Sequence, residues 1–454
     1  MGRLQGNVDG GPTNRPSNRN LKVPILLTAL IFTVVGWFTP VNSWSARNEV
    51  YNTLDLPSLQ NHCANSTPIQ ASEFHTRQKA LAGILHSLEA SAYIAEPGAS
   101  ALYYANVSSS QWHLSERPLL VVVTPKVTTA NGAVDPLITI LAPKFEATRA
   151  SLLDIPFDGI QYVHWPEEAN PYQVLASALP ITEGTIFVDG SIRHFIADGL
   201  EAAYKNVSVL TAPLEVRRLR ERKSTAEIEL MKCANEATLL ALRAVHKKMY
   251  IGMHESEARN MISAALTTVG LKDGGCLTLF GENAALPHGS GTDRQLGKSD
   301  FALFDCTGSL HGYWSDLTRT VALPNTEVSQ ESFKIWQTVR TAQDFAIQQA
   351  RKGVVAKSVD EAARRSMSVT GYAGYFTHRL GHGIGLEVHE GPYLNGGSED
   401  VLDTGHTFSD EPGIYIEGKI GVRLEDCFYI EESSGKAIFF TEDVGGQATS
   451  PFAP

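Results

Sequence analysis

Two aspartates in the segment DFALFDCTGSLHGYWSDLTRTV have the spacing of a metal site built on a β-hairpin. Asp305 and Asp316 flank a turn-like stretch at 308–312. A hairpin folded about the midpoint between Leu310 and His311 would set the two carboxylates opposite each other. Cross-strand partners lie about 5 Å apart at Cβ, so the pattern predicts two carboxylates close enough to share a metal ion.

A second pair of acids follows in the segment SDEPGIYIEGKIGVRLED. A hairpin centred on Gly418 sets Glu411 opposite Glu425. Because side chains alternate between the two faces of a strand, Arg423 then shares the face of Glu425, and Asp426 points away. The second hairpin is therefore predicted to bring two more carboxylates and one arginine to the site.

The remaining candidate ligand is His382, in the segment THRLGHGIGLEVHEGP. Gly381, Gly383 and Gly385 around it argue against a helix and indicate backbone packed tightly round a site. Four carboxylates directed at one interior point repel each other, and burying unpaired charge costs on the order of several kcal/mol per group. Divalent cations remove that cost. Oxygen ligands with one imidazole suit Mn²⁺, Zn²⁺ or Co²⁺, so the set predicts a site for two divalent ions, with Mn²⁺ preferred.

These motifs resemble those of the Xaa-Pro aminopeptidases and prolidases, the proline-specific branch of the pita-bread metallopeptidases. The resemblance covers roughly residues 70–445. It implies that Asp305 binds one ion, that Asp316 and Glu425 bridge both ions, and that His382 and Glu411 complete the shell of the second ion.

The same resemblance assigns His288, His378 and His389 to the catalytic pocket. A pair of divalent ions activates water for attack on a peptide carbonyl, so hydrolysis needs no Ser or Cys nucleophile. The nitrogen of a bond before proline must be protonated as it leaves, and Glu411 or a pocket histidine can do this. His389 and His288 are expected to donate to the developing oxyanion. Arg423 has two open roles, in binding a substrate carboxylate or in orienting a ligand carboxylate.

The predicted reaction is hydrolysis of Xaa-Pro bonds in proline-containing peptides, with release of the N-terminal residue, as in an Xaa-Pro aminopeptidase. The alternative is an Xaa-Pro dipeptidase (prolidase), which must bind the free carboxylate of its terminal proline. Arg423 and Arg379 are the candidate guanidinium partners, and neither is diagnostic. An inactive peptide-binding relative would lack a ligand, and none is missing. The sequence leaves a homodimer open.

Residues 71–213 precede the ligands and have the alternating pattern of an α/β domain, which the resemblance makes creatinase-like. A mixed sheet with flanking helices is expected. The predicted elements are a helix at 72–88 and strands at 119–124, 138–142 and 185–188.

Residues 214–454 are predicted to form an α+β pita-bread catalytic domain. The basic run RRLRERK at 217–223 is expected to form a solvated face. A capping box at 224–227 then opens a long amphipathic helix that ends near Gly252. A second helix follows at about 256–269, and the ligands come after it on strands and loops.

The N-terminus carries a membrane-targeting pattern. Residues 1–22 form a basic tail, and 23–46 contain no charge and are long enough to span a bilayer of about 30 Å. The positive-inside rule puts the tail in the cytosol and predicts a type II anchor with a lumenal or extracellular enzyme. Cleavage of a signal peptide near 41–43 would instead give a secreted enzyme. A linker is expected at 47–70. Three sequons agree with a glycosylated lumenal face, at Asn65, Asn106 and Asn206.

Composition is consistent with a large globular enzyme. The 454 residues are 43% hydrophobic and 19% charged, enough for a large core and two domains. A net charge of −11 without a basic patch to offset it argues against a nucleic-acid partner. The five cysteines lack metal-binding spacing, and their odd number leaves at least one unpaired. Cys306 and Cys427 are expected to be small buried hydrophobes, with Cys306 turned away from the metals.

Overall fold

A six-stranded mixed sheet forms the first part of the chain in the computed structural model, which describes residues 59–128, 132–289 and 291–454. The strand order is β4-β3-β2-β1-β5-β6. Its elements are α1 (Ala71–Ser87), β1 (Ala90–Ala95), α2 (Ala99–Ala105), β2 (Leu120–Thr128), β3 (Ala133–Pro143), α3 (Ala147–Ser151), β4 (Gln161–Trp165), α4 (Pro171–Ala178), β5 (Thr185–Val188), α5 (His194–Ala203) and β6 (Ser208–Thr211). We call residues 71–211 the N-terminal layer.

The central strands of this sheet are buried on both faces. Strand β2 pairs antiparallel with β1 and β3, whereas β3–β4, β1–β5 and β5–β6 are parallel. Val121 and Val123 pack in one cluster with Leu85 of α1, and Val122 packs in another with Leu200 of α5. Alternating β-branched residues covered by helices on both faces explain the near-continuous apolar runs. The predicted mixed sheet is confirmed; the sequence had indicated three of its six strands.

The second part of the chain wraps helices round three smaller sheets, with strand orders β7-β8-β9, β11-β10-β12-β15-β16 and β13-β14. The proposed division near residue 213 falls between β6 and α6. The elements are α6 (Leu214–Glu221), α7 (Thr225–His246), α8 (Glu255–Thr268), β7 (Lys272–Phe280), β8 (Ala302–Leu310), β9 (Tyr313–Val321), α9 (Gln330–Gln349), α10 (Ala356–Val369), β10 (Gly381–Gly383), β11 (Glu390–Leu394), β12 (Thr407–Asp410), β13 (Gly413–Ile416), β14 (Ile420–Arg423), β15 (Asp426–Ile430) and β16 (Ala437–Phe439).

The capping box predicted at the start of α7 is present. The Ser224 hydroxyl accepts from the Glu227 amide at 3.3 Å, and the Glu227 carboxylate accepts from the Ser224 amide at 2.9 Å. Two of the unpaired donors at the helix start are thereby satisfied. The helix ends at His246, earlier than the predicted end near Gly252. The second predicted helix is α8, within one residue at each end.

The β8–β9 hairpin has a tighter turn than the sequence suggested. Residues 311–312 form it, with φ of 52° and 89°, as in the two-residue turns that match strand twist. Asp316 therefore pairs with Thr307, and Asp305 pairs with Thr318. The predicted direct pairing of the two aspartates was wrong by two residues. A shift of two keeps both side chains on one face, so they remain diagonal neighbours.

Two disulfides connect four of the cysteines. Cys63 pairs with Cys233 of α7, which ties the end of the predicted linker to that helix. Cys276 pairs with Cys306 across neighbouring strands β7 and β8. Cys306 is buried, as predicted, but it forms a disulfide and is not an isolated small hydrophobe. Cys427 is free and buried, as predicted.

Residues 59–128, 132–289 and 291–454 contain no bilayer-spanning helix. Each helix in these ranges is too short or too polar to cross a membrane. The anchor predicted at 23–46 and the tail at 1–22 lie outside the described residues. On this finding we correct the predictions of membrane attachment, of a lumenal, extracellular or secreted enzyme, and of glycosylation, and none of them is kept.

Candidate metal centre

Four carboxylates and one imidazole converge between the small sheets. Ligand atoms of Asp305, Asp316 and Glu425 lie within 4.8 Å of one another, and so do those of His382, Glu411 and Glu425. Strands β8 and β9 supply the aspartates and β10 supplies the histidine. Glu411 directly follows β12, and Glu425 directly precedes β15. The structure thus brings together all five residues predicted as ligands.

The second hairpin has the predicted register. Gly413 pairs with Arg423 and Ile416 with Ile420, so the turn is centred on Gly418. The same register continues into the β12–β15 pair, where Asp410 lies opposite Asp426. The positions of the two glutamates follow from this pairing.

The glycines round His382 allow its strand to lie against its neighbours. A Cβ at Gly381 would come within 2.0 Å of the Ser409 carbonyl oxygen, and one at Gly383 within 2.6 Å of the Glu390 carbonyl oxygen. The Ser409 hydroxyl also accepts from the His382 amide at 3.1 Å. Close backbone approach, as the glycine pattern predicted, therefore fixes the histidine in place.

His382 presents Nε2 to the carboxylates. That atom lies 3.3 Å from Glu411 Oε1 and 3.6 Å from Asp316 Oδ2. Nδ1 faces the Gly383 carbonyl oxygen at 3.1 Å, so Nδ1–H donates there and leaves a lone pair on Nε2. Burial and, to a smaller extent, the nearby His389 lower the pKa of His382 to about 3. The imidazole is neutral at physiological pH, which is the form that binds metals.

Two of the carboxylates each have a buried oxygen that accepts no hydrogen bond from any described residue. These atoms are Asp316 Oδ1 and Glu425 Oε1. The other Glu425 oxygen accepts from the Thr318 hydroxyl at 2.7 Å. Burial, with repulsion between neighbouring carboxylates, raises the pKa of both groups well above the usual range. Burial also raises the pKa of Glu411 to about 7. The negative charge of the site exceeds its positive charge, so its donor set fits divalent cations.

Arg423 is held by the centre itself. Its Nη2 donates to Asp305 Oδ2 at 2.7 Å, its Nη1 to the Tyr415 hydroxyl at 2.9 Å, and its Nε to the Thr318 hydroxyl at 3.2 Å. Only 3% of the residue is exposed. Of the two roles left open by the sequence, this geometry matches the orientation of a ligand carboxylate.

His378 belongs to the same hydrogen-bonded chain. Its Nδ1–H donates to the Arg379 carbonyl oxygen at 2.7 Å, so Nε2 accepts from the Tyr415 hydroxyl at 2.9 Å. Burial lowers the pKa of His378 to about 4, so the ring is neutral. Tyr415 was not among the residues predicted from the sequence. The sequence feature that could have indicated its role is Gly413, because a Cβ there would lie 2.3 Å from the Tyr415 hydroxyl oxygen.

His389 lies against the centre, and both His389 and His288 are exposed to solvent. The His389 ring meets that of His382 edge-on, with 4.2 Å between centroids, and its ligand atom lies within 4.8 Å of those of Asp316 and His382. Burial lowers the pKa of His389, with contributions from Arg379 and His288. Of the three predicted histidines, His389 lies against the carboxylates, His378 is connected to them through Tyr415 and Arg423, and His288 is close enough to His389 to lower its pKa.

Arg379 lies over the ring of Tyr393, with 4.8 Å from its guanidinium carbon to the ring centroid. It is half-buried and lowers the pKa of the neighbouring His389. Throughout the part of the chain that the structure describes, no carboxylate forms an ion pair with it. A cavity of about 320 Å³ runs from His389 and Tyr393 to Ser100 and Asp189 of the N-terminal layer.

The prediction of a solvated face for the basic run was wrong for two of its members. Arg220 and Lys223 bind the carboxylate of Glu390, the residue after His389. The Lys223 and Glu390 side chains are 1% and 4% exposed. This cluster was not predicted from the sequence. The available signal for it in the sequence was an acid next to a candidate catalytic histidine in a tight glycine-rich segment.

The fold and this carboxylate–imidazole centre define a metal-dependent hydrolase. Residues 229–432 match the profile of metallopeptidase family M24. An uncharacterized peptidase from Schizosaccharomyces pombe is 38% identical over 390 residues, which cover 85% of this chain and 84% of that protein. The chain belongs to metallopeptidase family M24.

Solved structures of related proteins agree with this assignment. The dipeptidase PepE from Mycobacterium ulcerans superposes with a TM-score of 0.73 at 29% identity, covering 82% of this chain and 97% of that one. A prolidase from Thermococcus sibiricus gives a TM-score of 0.72 at 28% identity, covering 83% of this chain and 98% of that one. The fold is the pita-bread fold with an N-terminal α/β layer, as the sequence predicted, and the protein is a metallopeptidase.

Proposed function

We propose that this chain is an exopeptidase that uses two divalent ions to hydrolyse the bond between an N-terminal residue and proline. The observation that carries the proposal is the sharing of Asp316 and Glu425. Each belongs to more than one group of converging ligand atoms, and each retains a buried oxygen to which no described residue donates. Bridging carboxylates of a two-ion site would have these properties. The proline specificity is supported by the similarity to a prolidase.

Asp305, Asp316 and Glu425 would hold one ion, and Asp316, His382, Glu411 and Glu425 the other. We propose Mn²⁺ as the ion, with Zn²⁺ and Co²⁺ as alternatives, because the ligands are four carboxylates and one imidazole. When bound, the ions would supply water activation and polarisation of the scissile carbonyl.

The protein's own groups would complete the reaction. His389, which lies against the centre, and His288, which is close enough to lower the pKa of His389, would donate to the oxygen of the scissile carbonyl as its charge grows. Glu411, whose Oε1 accepts from the Ser409 hydroxyl at 3.3 Å, would deliver a proton to the leaving proline nitrogen. Arg423 would hold Asp305 in its ligand orientation through the bond at 2.7 Å.

We propose the aminopeptidase as the form of this activity. Arg423, one of two candidate partners for a terminal carboxylate, already binds Asp305. The cavity of about 320 Å³ lies between His389 and the N-terminal layer and would supply room for residues beyond proline. A peptide that continues past proline would therefore be accommodated.

A second candidate, the Xaa-Pro dipeptidase, is favoured by Arg379. Its guanidinium lies over Tyr393, which lines the cavity, and has no ion-pair partner among the described residues. A planar guanidinium binds a carboxylate with two parallel hydrogen bonds. The similarity to a dipeptidase and a prolidase agrees with this form.

The two forms are separated by assaying Xaa-Pro and Xaa-Pro-Yaa peptides with the same N-terminal residue. Hydrolysis of tripeptides and longer peptides at rates similar to the dipeptide supports the aminopeptidase. Hydrolysis of dipeptides alone, with a KM raised by about tenfold or more in Arg379→Ala, supports the dipeptidase. Arg365→Ala is the matched control, because Arg365 is a surface residue whose ion pair is with Glu361 at 3.6 Å. Absence of hydrolysis before proline in any peptide contradicts the proposed function.

A further inference from the structure

Glu390 is a buried acid directly after His389. It opens β11, and its carboxylate forms ion pairs with Lys223 and with Arg220, the latter at 3.3 Å. It also accepts from the backbone amide of Glu387 at 3.3 Å. The carboxylate thus closes the turn between β10 and β11, residues 384–389, which we call the His389 turn.

The Lys223 side chain reaches Glu390 through a gap in the His389 turn. A Cβ at Gly385 would lie 2.6 Å from Lys223 Cε and 2.9 Å from Glu390 Oε1. The Gly385 amide donates to the Glu387 carbonyl oxygen at 3.0 Å, and its carbonyl accepts from the Trp314 amide at 2.9 Å. The turn is therefore packed round the ion pair.

Arg220 connects the same carboxylate to the N-terminal layer. Its Nη2 binds Glu387 and Glu390, and its Nη1 donates to the Ser100 hydroxyl of α2 at 3.1 Å. One guanidinium therefore holds the second half of the His389 turn, at Glu387 and Glu390, together with the helix that lines the cavity beside it. Two cations facing one buried acid lower the pKa of Glu390, so it stays ionised.

His389 depends on this turn for its position. It is exposed, and its ring contact among the described residues is the edge-on contact with His382. A side chain with few contacts of its own is placed by the backbone that carries it. The backbone here is held by Glu390, Lys223 and Arg220.

We propose that Glu390, clamped by Lys223 and Arg220, is a positioning residue that holds His389 against the metal centre. Through Ser100, the N-terminal layer takes part in placing that histidine. The inference rests on the proposed role of His389 in hydrolysis.

A double-mutant cycle tests the proposal. Glu390→Gln is measured for kcat and KM on one Xaa-Pro peptide, in the parent enzyme and in His389→Ala. In the parent, kcat is expected to fall by about 10- to 100-fold with a smaller change in KM, as for groups that orient a functional side chain. In His389→Ala, the same substitution is expected to change kcat by less than about twofold, because its effect passes through the missing ring.

Two milder variants keep the test informative if Glu390→Gln does not fold. Arg220→Lys retains the positive charge but loses the planar guanidinium that binds several partners at once. Ser100→Ala removes only the hydrogen bond to α2. Each is expected to lower kcat by about 3- to 10-fold in the parent and by less than about twofold in His389→Ala. Arg222→Gln is the matched control from the same basic run, since Arg222 pairs with Asp403 and Thr404. Its kcat is expected to equal that of the parent.

The outcomes separate the two claims. The positioning role is overturned if the fold-losses in kcat of the single variants multiply in the double variants. It is also overturned if kcat is unchanged in all three single variants. An unchanged kcat in His389→Ala alone would overturn the role of His389 and the inference built on it. Metal content measured in every variant shows whether a lower kcat reflects a lost ion, and a loss of metal that parallels kcat also overturns the proposal.

Discussion

Arg423 Nη2 donates to Asp305 Oδ2 across 2.7 Å, from the end of β14 to the middle of β8. The contact places one cation among four carboxylates and leaves the remaining negative charge for metal ions to neutralise. It also fixes the direction in which Asp305 presents its other oxygen. A guanidinium bound in this way is a structural part of the centre, and its loss should affect metal binding before substrate binding.

Replacement of Arg423 by Gln is therefore expected to weaken metal binding by about 10- to 100-fold, the usual effect of removing a partner that orients a ligand. Titration with Mn²⁺, followed by metal analysis, measures this. Arg365→Gln, a surface change, should bind metal like the parent. If Arg423→Gln raises only KM and leaves metal affinity unchanged, the arginine binds substrate instead.

Asp316→Ala and Glu425→Ala are each expected to abolish turnover and to lose both ions, because each carboxylate is proposed to bind both ions. The parent should contain about two ions per chain and lose activity to chelators. Asp443→Asn is a suitable control, since the Asp443 side chain is 69% exposed and its ion pair is with Lys232 at the surface. A stoichiometry of one ion with full activity would refute the two-ion centre.

The ligand set could be predicted because strand periodicity is a local property. The pairing centred on Gly418 needed only the turn residue and the alternation of faces, and it is observed. The β8–β9 register was wrong by two residues because a positive φ at His311 cannot be predicted from residue type, as histidine is not a usual turn residue there. The error left the face unchanged, so the site survived it.

Contacts between distant segments were beyond the sequence pattern. Arg220 and Lys223 looked like surface charges because no local feature shows that Glu390, 167 residues after Lys223, lies beside them. The Cys276–Cys306 bridge likewise depends on which strands are neighbours. A short-range pattern gives the face of an element, and the partner of that face follows only from the tertiary fold.

Stability at mildly acidic pH is expected to depend on His406, a buried residue whose backbone forms an isolated antiparallel β-bridge with Arg222. Burial, with the positive charges of Lys223 and Arg222, lowers its pKa from 6.5 to about 4, although Asp403 and Asp400 act in the opposite direction. Between those pH values the unfolded chain binds a proton that the folded chain does not. The free energy of unfolding therefore falls as pH drops below about 6.5, by about 2 kcal/mol at pH 5.

His406→Met removes this proton-linked loss, so its melting temperature should fall less between pH 7 and pH 5 than that of the parent. Thermal unfolding at the two pH values measures the difference, with His75→Gln as the control because His75 is exposed. Equal shifts in His406→Met and the parent would show that other groups set the acid sensitivity.

Gly385→Ala is the sharpest single change to the His389 turn. The added methyl would lie 2.6 Å from Lys223 Cε and 2.9 Å from Glu390 Oε1, so the ion pair must move. Because the displaced atoms are at the ends of side chains, the fold should survive with a loss of about 1–2 kcal/mol. We expect kcat to fall even at a temperature where the variant is fully folded, because His389 moves with the turn. Gly374→Ala is the matched control, because a Cβ added at Gly374 would meet no atom within 4 Å. Parent-like kcat in Gly385→Ala, at a temperature where both proteins are folded, would show that the turn tolerates the shift and that His389 is held by other contacts.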